Sequence, residues 1–106
     1  RNIACGAYQL ENGWELRCDV SRRSWNVVPT DPDCEGDSGD ALGLHATGAA
    51  YAICHGDTYL GDGRVLGYGS TWRRGPFTCL VEASGVTCRN RQGHGFTVSR
   101  QRYRYF

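Results

Sequence analysis

The side chains in this chain that could do chemistry are a serine in an acidic, glycine-containing string, a run of carboxylates, three histidines, six cysteines and an arginine-aromatic tail. Ser38 lies in Cys34-Glu35-Gly36-Asp37-Ser38-Gly39-Asp40 and carries a hydroxyl of the type used as a nucleophile. Asp31, Asp33, Glu35, Asp37 and Asp40 stand at near-alternate positions and offer the hard oxygen ligands that calcium takes. His45, His55 and His94 are of the type used for proton transfer or for zinc. The last eight residues, Ser99-Arg100-Gln101-Arg102-Tyr103-Arg104-Tyr105-Phe106, interleave cations with rings, a combination that neutralises and stacks on anionic polymers.

Spacing argues against most of these chemistries. The carboxylate run fails the EF-hand pattern because Leu42 occupies the place of the terminal bidentate glutamate. A solvated loop whose Asp side chains organise turns is expected instead. The histidines show neither HxxxH nor HExxH spacing, so no metal and no cofactor is expected. His55-Gly56-Asp57-Thr58 and Gly93-His94-Gly95-Phe96 read as turns in which the imidazole satisfies main-chain groups. An acid/base pair of His94 with Asp57 has only residue type behind it. As a strand, the tail would set Arg100, Arg102 and Arg104 on one face and Tyr103 and Tyr105 on the other. The aromatics then dock in the core with the arginines outward, or the segment recognises a protein or an anionic glycan.

The string around Ser38 resembles the nucleophile motif of trypsin-like serine proteases. Asp40, however, stands where a second glycine belongs and Ala41 where proline follows. The serine falls in the first half of the chain, no histidine precedes His45, and the chain is far shorter than that fold. A polar turn is expected, and the protein is expected not to be an enzyme.

The elements that position these groups follow from the cysteines and the apolar pattern. Cys5, Cys18, Cys34, Cys54, Cys79 and Cys88 in 106 residues, none spaced as CxxC, imply three disulfides and an exported protein. No apolar run is long enough to span a bilayer, and none of the opening residues reads as a signal peptide, which predicts a mature or trimmed ectodomain. Apolar residues alternate with period two and are broken by Gly, Asn, Asp and Ser clusters every eight to twelve positions. This predicts one all-β domain over residues 1–106, a disulfide-stabilised β-sandwich or small barrel built of hairpins. Strands are expected at residues 3–8, 14–20, 25–28, 41–45, 49–55, 65–68, 77–81, 86–90 and 96–99.

Fifteen cysteine pairings are open, and the hairpins favour the sequential one. With Glu82 to Gly85 as the loop, Cys79 and Cys88 lie directly opposite. A two-residue turn at Asn12-Gly13 sets Cys5 and Cys18 on one face but diagonal, about 7 to 8 Å apart, so that bridge would need a bulge or a longer loop. Cys34 with Cys54 follows by elimination.

Charge is distributed unevenly. Residues 1–63 carry ten carboxylates against four arginines, and residues 64–106 carry eight arginines against Glu82 alone, so the halves are −6 and +7. Every one of the twelve basic residues is arginine, the side chain suited to planar and bidentate contacts. Either the halves neutralise each other in the fold, or a basic face meets an acidic partner.

A larger pattern is carried by Asn2-Ile3 leading to Cys5, by Val20 and Trp25 after Cys18-Asp19, and by Cys54 with Gly56-Asp57-Thr58. Leu66-Gly67-Tyr68-Gly69, Gly85-Val86-Thr87-Cys88-Arg89-Asn90, Gly93-His94-Gly95-Phe96, Ser99-Arg100 and residues 103–106 complete it. It resembles an uncharacterised family of small secreted proteins and lipoprotein ectodomains of actinobacteria. Ser38-Gly39 departs from the aromatic residue and glycine that members commonly show there. The resemblance implies export, disulfides and fold, and no reaction.

The function expected is therefore that of a non-enzymatic secreted binding or adaptor module. Its partner would be another extracellular protein, a cell-envelope component or an anionic glycan, with no nucleic acid and no membrane span. The expected surface combines Trp72, Arg73 and Arg74, read as a turn, with Arg89, Arg91, Arg100, Arg102, Tyr103, Arg104 and Tyr105. The alternatives are an inhibitor presenting residues 31–40 to a secreted hydrolase, and a small serine hydrolase using Ser38 with His45 or His55. Lipid anchoring replaces release where the native chain begins upstream with an anchoring cysteine.

Overall fold

The computed structural model describes residues 2–28, 33–34, 36, 39–56 and 67–106. Two antiparallel sheets face each other. The first has the order β1 (Ile3–Leu10), β2 (Gly13–Val20), β3 (Ala41–His45) and β4 (Tyr51–Ala52). The second runs in chain order through β5 (Thr71–Arg74), β6 (Phe77–Glu82), β7 (Gly85–Arg89), β8 (Gly95–Val98) and β9 (Tyr103–Tyr105). The described residues contain no helix. Each sheet sends its apolar face into a common core, the sandwich form of the expected all-β fold. Leu16, Cys18, Val20, Leu42 and Leu44 come from one side, and Phe77, Cys79, Val86, Cys88, Phe96 and Val98 from the other.

The disulfides join Cys5 to Cys18, Cys34 to Cys54 and Cys79 to Cys88, the sequential pairing. Two of them are rungs across hairpins, with Cα atoms 4.1 and 4.0 Å apart, in the close range of non-hydrogen-bonded pairs. The sulfurs of Cys5, Cys18 and Cys88 lie within 4.8 Å of one another, so the two rungs, one from each sheet, abut in the core.

The first hairpin differs from expectation by its register. Leu10 pairs with Gly13, so the turn residues are Glu11 and Asn12, and Cys5 falls directly opposite Cys18 without any bulge. A type I′ turn at Asn12-Gly13 would need φ above zero at both residues. Among the described residues only glycines have positive φ, and Gly13, at φ 117°, is the first residue of β2. The β6–β7 hairpin repeats the design: Ala83 and Ser84 turn, and Gly85, at φ 136°, opens β7.

Other expected strands shift for identifiable reasons. Residues 25–28 form no strand. Trp25 donates its indole N–H to the Ser99 carbonyl, and the Val27 N–H bonds Gly39, so the segment straps one sheet to the other. The strand expected at 49–55 shrinks to β4, which pairs only with Leu42 and Gly43. Of the strand expected at 65–68, residues 65 and 66 lie outside the described residues, and Gly67 and Tyr68 are in no strand. Residues 72–74, expected as a turn, belong to β5. As an edge strand with one face in water it has Trp72 as its only core-facing large apolar residue, which leaves little alternation to read.

Asn90 ties the sheets together from the polar side. Its Nδ2 donates to the carbonyls of His45 and Gly48, and its Oδ1 accepts from the N–H groups of Gln92 and His94.

Candidate functional site

Antiparallel register places directly paired residues on the same face of a sheet. Across the second sheet, Trp72, Cys79, Cys88, Phe96 and Tyr105 form one such row and face the core. The alternate residues face outward in two neighbouring rows. One runs Thr71, Leu80, Thr87, Thr97, Arg104; the other runs Arg73, Thr78, Arg89, Gly95. The outer face is thus a field of threonines bearing three exposed arginines. The hydroxyls of Thr87 and Thr97 bond each other at 3.0 Å, and Leu80 is the one large apolar side chain among them. Glu82, at the end of β6, is the only carboxylate in these five strands.

The expected surface residues separate into four groups. Arg73, Arg89 and Arg104 share the outer face. Trp72, Tyr103 and Tyr105 lie on the other face. Trp72 and Tyr103 pack against the core, and Tyr103 stands 5.0 Å from Trp25 and 5.7 Å from Tyr105, ring centre to ring centre. Burial, then the neighbouring Tyr103, pushes the Tyr105 hydroxyl above its ordinary pKa, so it stays neutral. Arg91, Arg100 and Arg102 are exposed in turns, and only Arg104 of the tail arginines is in a strand, opposite in facing to Tyr103 and Tyr105. Arg74 is occupied internally: its Nε donates to the Ala7 carbonyl at 2.8 Å and its guanidinium lies 6.0 Å from the Trp14 ring centre.

Mutual neutralisation of the two halves does not occur among the described residues. The ion pairs found there, Arg17 with Asp19 and His55 with Asp40, both lie within the acidic first half. Arg73, Arg89, Arg91, Arg100, Arg102 and Arg104 form no ion pair among the described residues.

A second cluster joins Asp19, Asp40 and His55, whose ligand atoms lie within 4.8 Å of one another. These donors are already engaged. Both oxygens of buried Asp19 accept from Arg17, at 2.7 and 2.9 Å, and His55 Nε2 is 2.7 Å from Asp40 Oδ1. The pairing fixes residue 40 against the strand-like segment after β4, next to the Cys34–Cys54 bridge. The His55 side chain is 4% exposed and its Nδ1 is buried without a hydrogen-bond partner among the described residues. His45 is exposed elsewhere, its ring 4.8 Å from that of Tyr51 and its Nδ1 3.3 Å from the Trp14 carbonyl. Ser38, Asp31, Glu35, Asp37 and Asp57 lie outside the described residues.

Sequence reasoning missed the threonine field and the strap at Trp25. The signal for the first was present as Thr71, Thr78, Thr87 and Thr97, each adjacent to a core-facing residue in a period-two run. It becomes a surface only when the register aligns the strands.

A family described as a family of unknown function, DUF6636, matches residues 4–106. No curated protein and no solved structure matches the chain.

Proposed function

Because the chain belongs to DUF6636, whose function is unknown, we propose from its own surface chemistry that it is a non-enzymatic, exported binding module. Its outer β5–β9 face recognises an acidic extracellular protein or an anionic component of the cell envelope. The observation that carries this reading is the set of exposed arginines in the second half, three of them on one sheet face, with no carboxylate paired to them among the described residues. Unpaired arginines raise the local potential, steer anions and bind carboxylate, sulfate or phosphate bidentately. Export in an actinobacterial setting belongs to the same proposal. Three disulfides are compatible with it, and no described helix is long and apolar enough to cross a membrane.

The test is a pull-down from culture supernatant and envelope extract of the producing organism, with the oxidised protein and a variant carrying Arg73→Gln, Arg89→Gln and Arg104→Gln as baits. A component kept by the wild type, lost by the variant and released by moderate salt supports the reading. Equal capture by both baits sinks it.

A further inference from the structure

The arginines of the outer face stand on alternate strands. Arg73 is on β5, Arg89 on β7 and Arg104 on β9, while β6 and β8 contribute Thr78 and Thr97 between them. Thr78 is the register partner of both Arg73 and Arg89. Thr97 is the register partner of Arg104 and is held by its bond to Thr87. Along the row Arg73, Thr78, Arg89 the face reads cation, hydroxyl, cation, with the charges two strand intervals, roughly 10 Å, apart, while Arg104 stands in the neighbouring row, two strands and two residues from Arg89, roughly 12 Å away on the diagonal.

Resting on the binding reading above, we infer that the ligand is an extended acidic polysaccharide with its charge on alternate sugars, laid across the strands of β5 to β9. A pyranose ring is about as long as one strand interval, so a disaccharide repeat matches the step from Arg73 to Arg89, and a slightly oblique path carries the polymer on to Arg104. Its carboxylates meet the guanidinium groups, and the uncharged sugars between them meet threonine hydroxyls. The spread of the charges over a whole sheet face suits an extended polymer better than a small anion, which takes a concave site. It also disfavours an extended acidic peptide, whose same-side carboxylates recur every second residue, about 7 Å apart, short of the arginine interval. Phe106, 41% exposed and backbone-paired with Gly95 beyond Arg89, ends the second row with a ring for a sugar face.

The experiment is biolayer interferometry on four immobilised polymers. These are hyaluronan, with a uronate on alternate sugars; polygalacturonate, with one on every sugar; neutral dextran; and poly-glutamate. The wild type is expected to bind hyaluronan at least about threefold tighter than polygalacturonate or poly-glutamate, and dextran not at all. Arg73→Gln, Arg89→Gln and Arg104→Gln, each with an unchanged melting curve, are each expected to weaken hyaluronan binding about threefold to tenfold. Arg22→Gln removes the same charge from an exposed site between β2 and β3, and is expected to change it less than twofold. Equal binding of both uronate polymers, still lost with the face variants, would overturn the alternate-charge inference and leave the binding module standing. Preference for poly-glutamate would overturn it in favour of an acidic protein segment. Binding to none of the polymers, or equal damage from Arg22→Gln, would overturn the polysaccharide inference, and the pull-down would then decide the binding module separately.

Discussion

Burying Asn90 brings one side-chain amide within bonding distance of four backbone groups on two segments, residues 45–48 and the turn from β7 to β8. Asn90→Ala leaves those groups unpaired where water reaches poorly, since the residue is only 3% exposed. The expected cost is about 2–3 kcal/mol, a fall in Tm on the order of 10 °C, read by thermal unfolding. Tyr51 makes a different prediction. Its hydroxyl donates to Glu15, and burial, followed by that bond and the Glu15 charge, holds its pKa far above the ordinary 10.0. A tyrosine raised in the folded state stabilises fully below the unfolded pKa and loses that contribution as pH climbs above it. Wild-type stability is therefore expected to decline more steeply than that of Tyr51→Phe once pH exceeds about 10. Urea titrations at pH 8 to 11 decide this, and parallel curves would remove Tyr51 as the cause.

At the scale of elements, two hairpins share one device. In each, the glycine that follows the turn pair opens the second strand at positive φ, and a cysteine rung lies directly across the ladder. The two glycines differ in their surroundings. A Cβ on Gly13 would meet open space, whereas one on Gly85 would collide with the Val98 carbonyl of β8. Gly13→Ala is expected to cost about 1–2 kcal/mol, the strain of a left-handed L residue. Gly85→Ala should cost clearly more because β8 must also move. Equal values in denaturant titrations would show that β8 yields freely. Expected and observed boundaries agree closely for β2, β3, β6, β7 and β8, where apolar residues alternate against one buried face. They fail for β4, β5 and residues 25–28, where contacts from other segments, and not alternation, decide the backbone.

For the whole molecule, the three disulfides together are of the same size as the net stability. Each disulfide is worth about 3 kcal/mol of chain entropy, while a domain of this size is stable by about 5–15 kcal/mol. Full reduction is therefore expected to unfold most of the population at 25 °C, with loss of near-ultraviolet circular dichroism in the reduced protein. A reduced chain that kept that signal would show the apolar core to be sufficient alone. The rungs Cys5–Cys18 and Cys79–Cys88 also fill the centre of the sandwich, so their loss empties volume as well as freeing the chain.

Period-two alternation and glycine punctuation by themselves determined the all-β class and most strands, because these depend on interactions local to a hairpin or its neighbours. The six cysteines favoured the sequential pairing, and the register of the hairpins decided it. The candidate site was legible only as ingredients. Arg73, Arg89 and Arg104 sit 16 and 15 residues apart along the chain, and nothing local says that they share a face while Arg74 is spent on Ala7 and Trp14. Sheet order and register decided that, since a shift of one residue in any strand would have turned its arginine inward. The same tertiary packing paired Asp40 with His55 and Asp19 with Arg17, and left the basic half of the chain without carboxylate partners among the described residues.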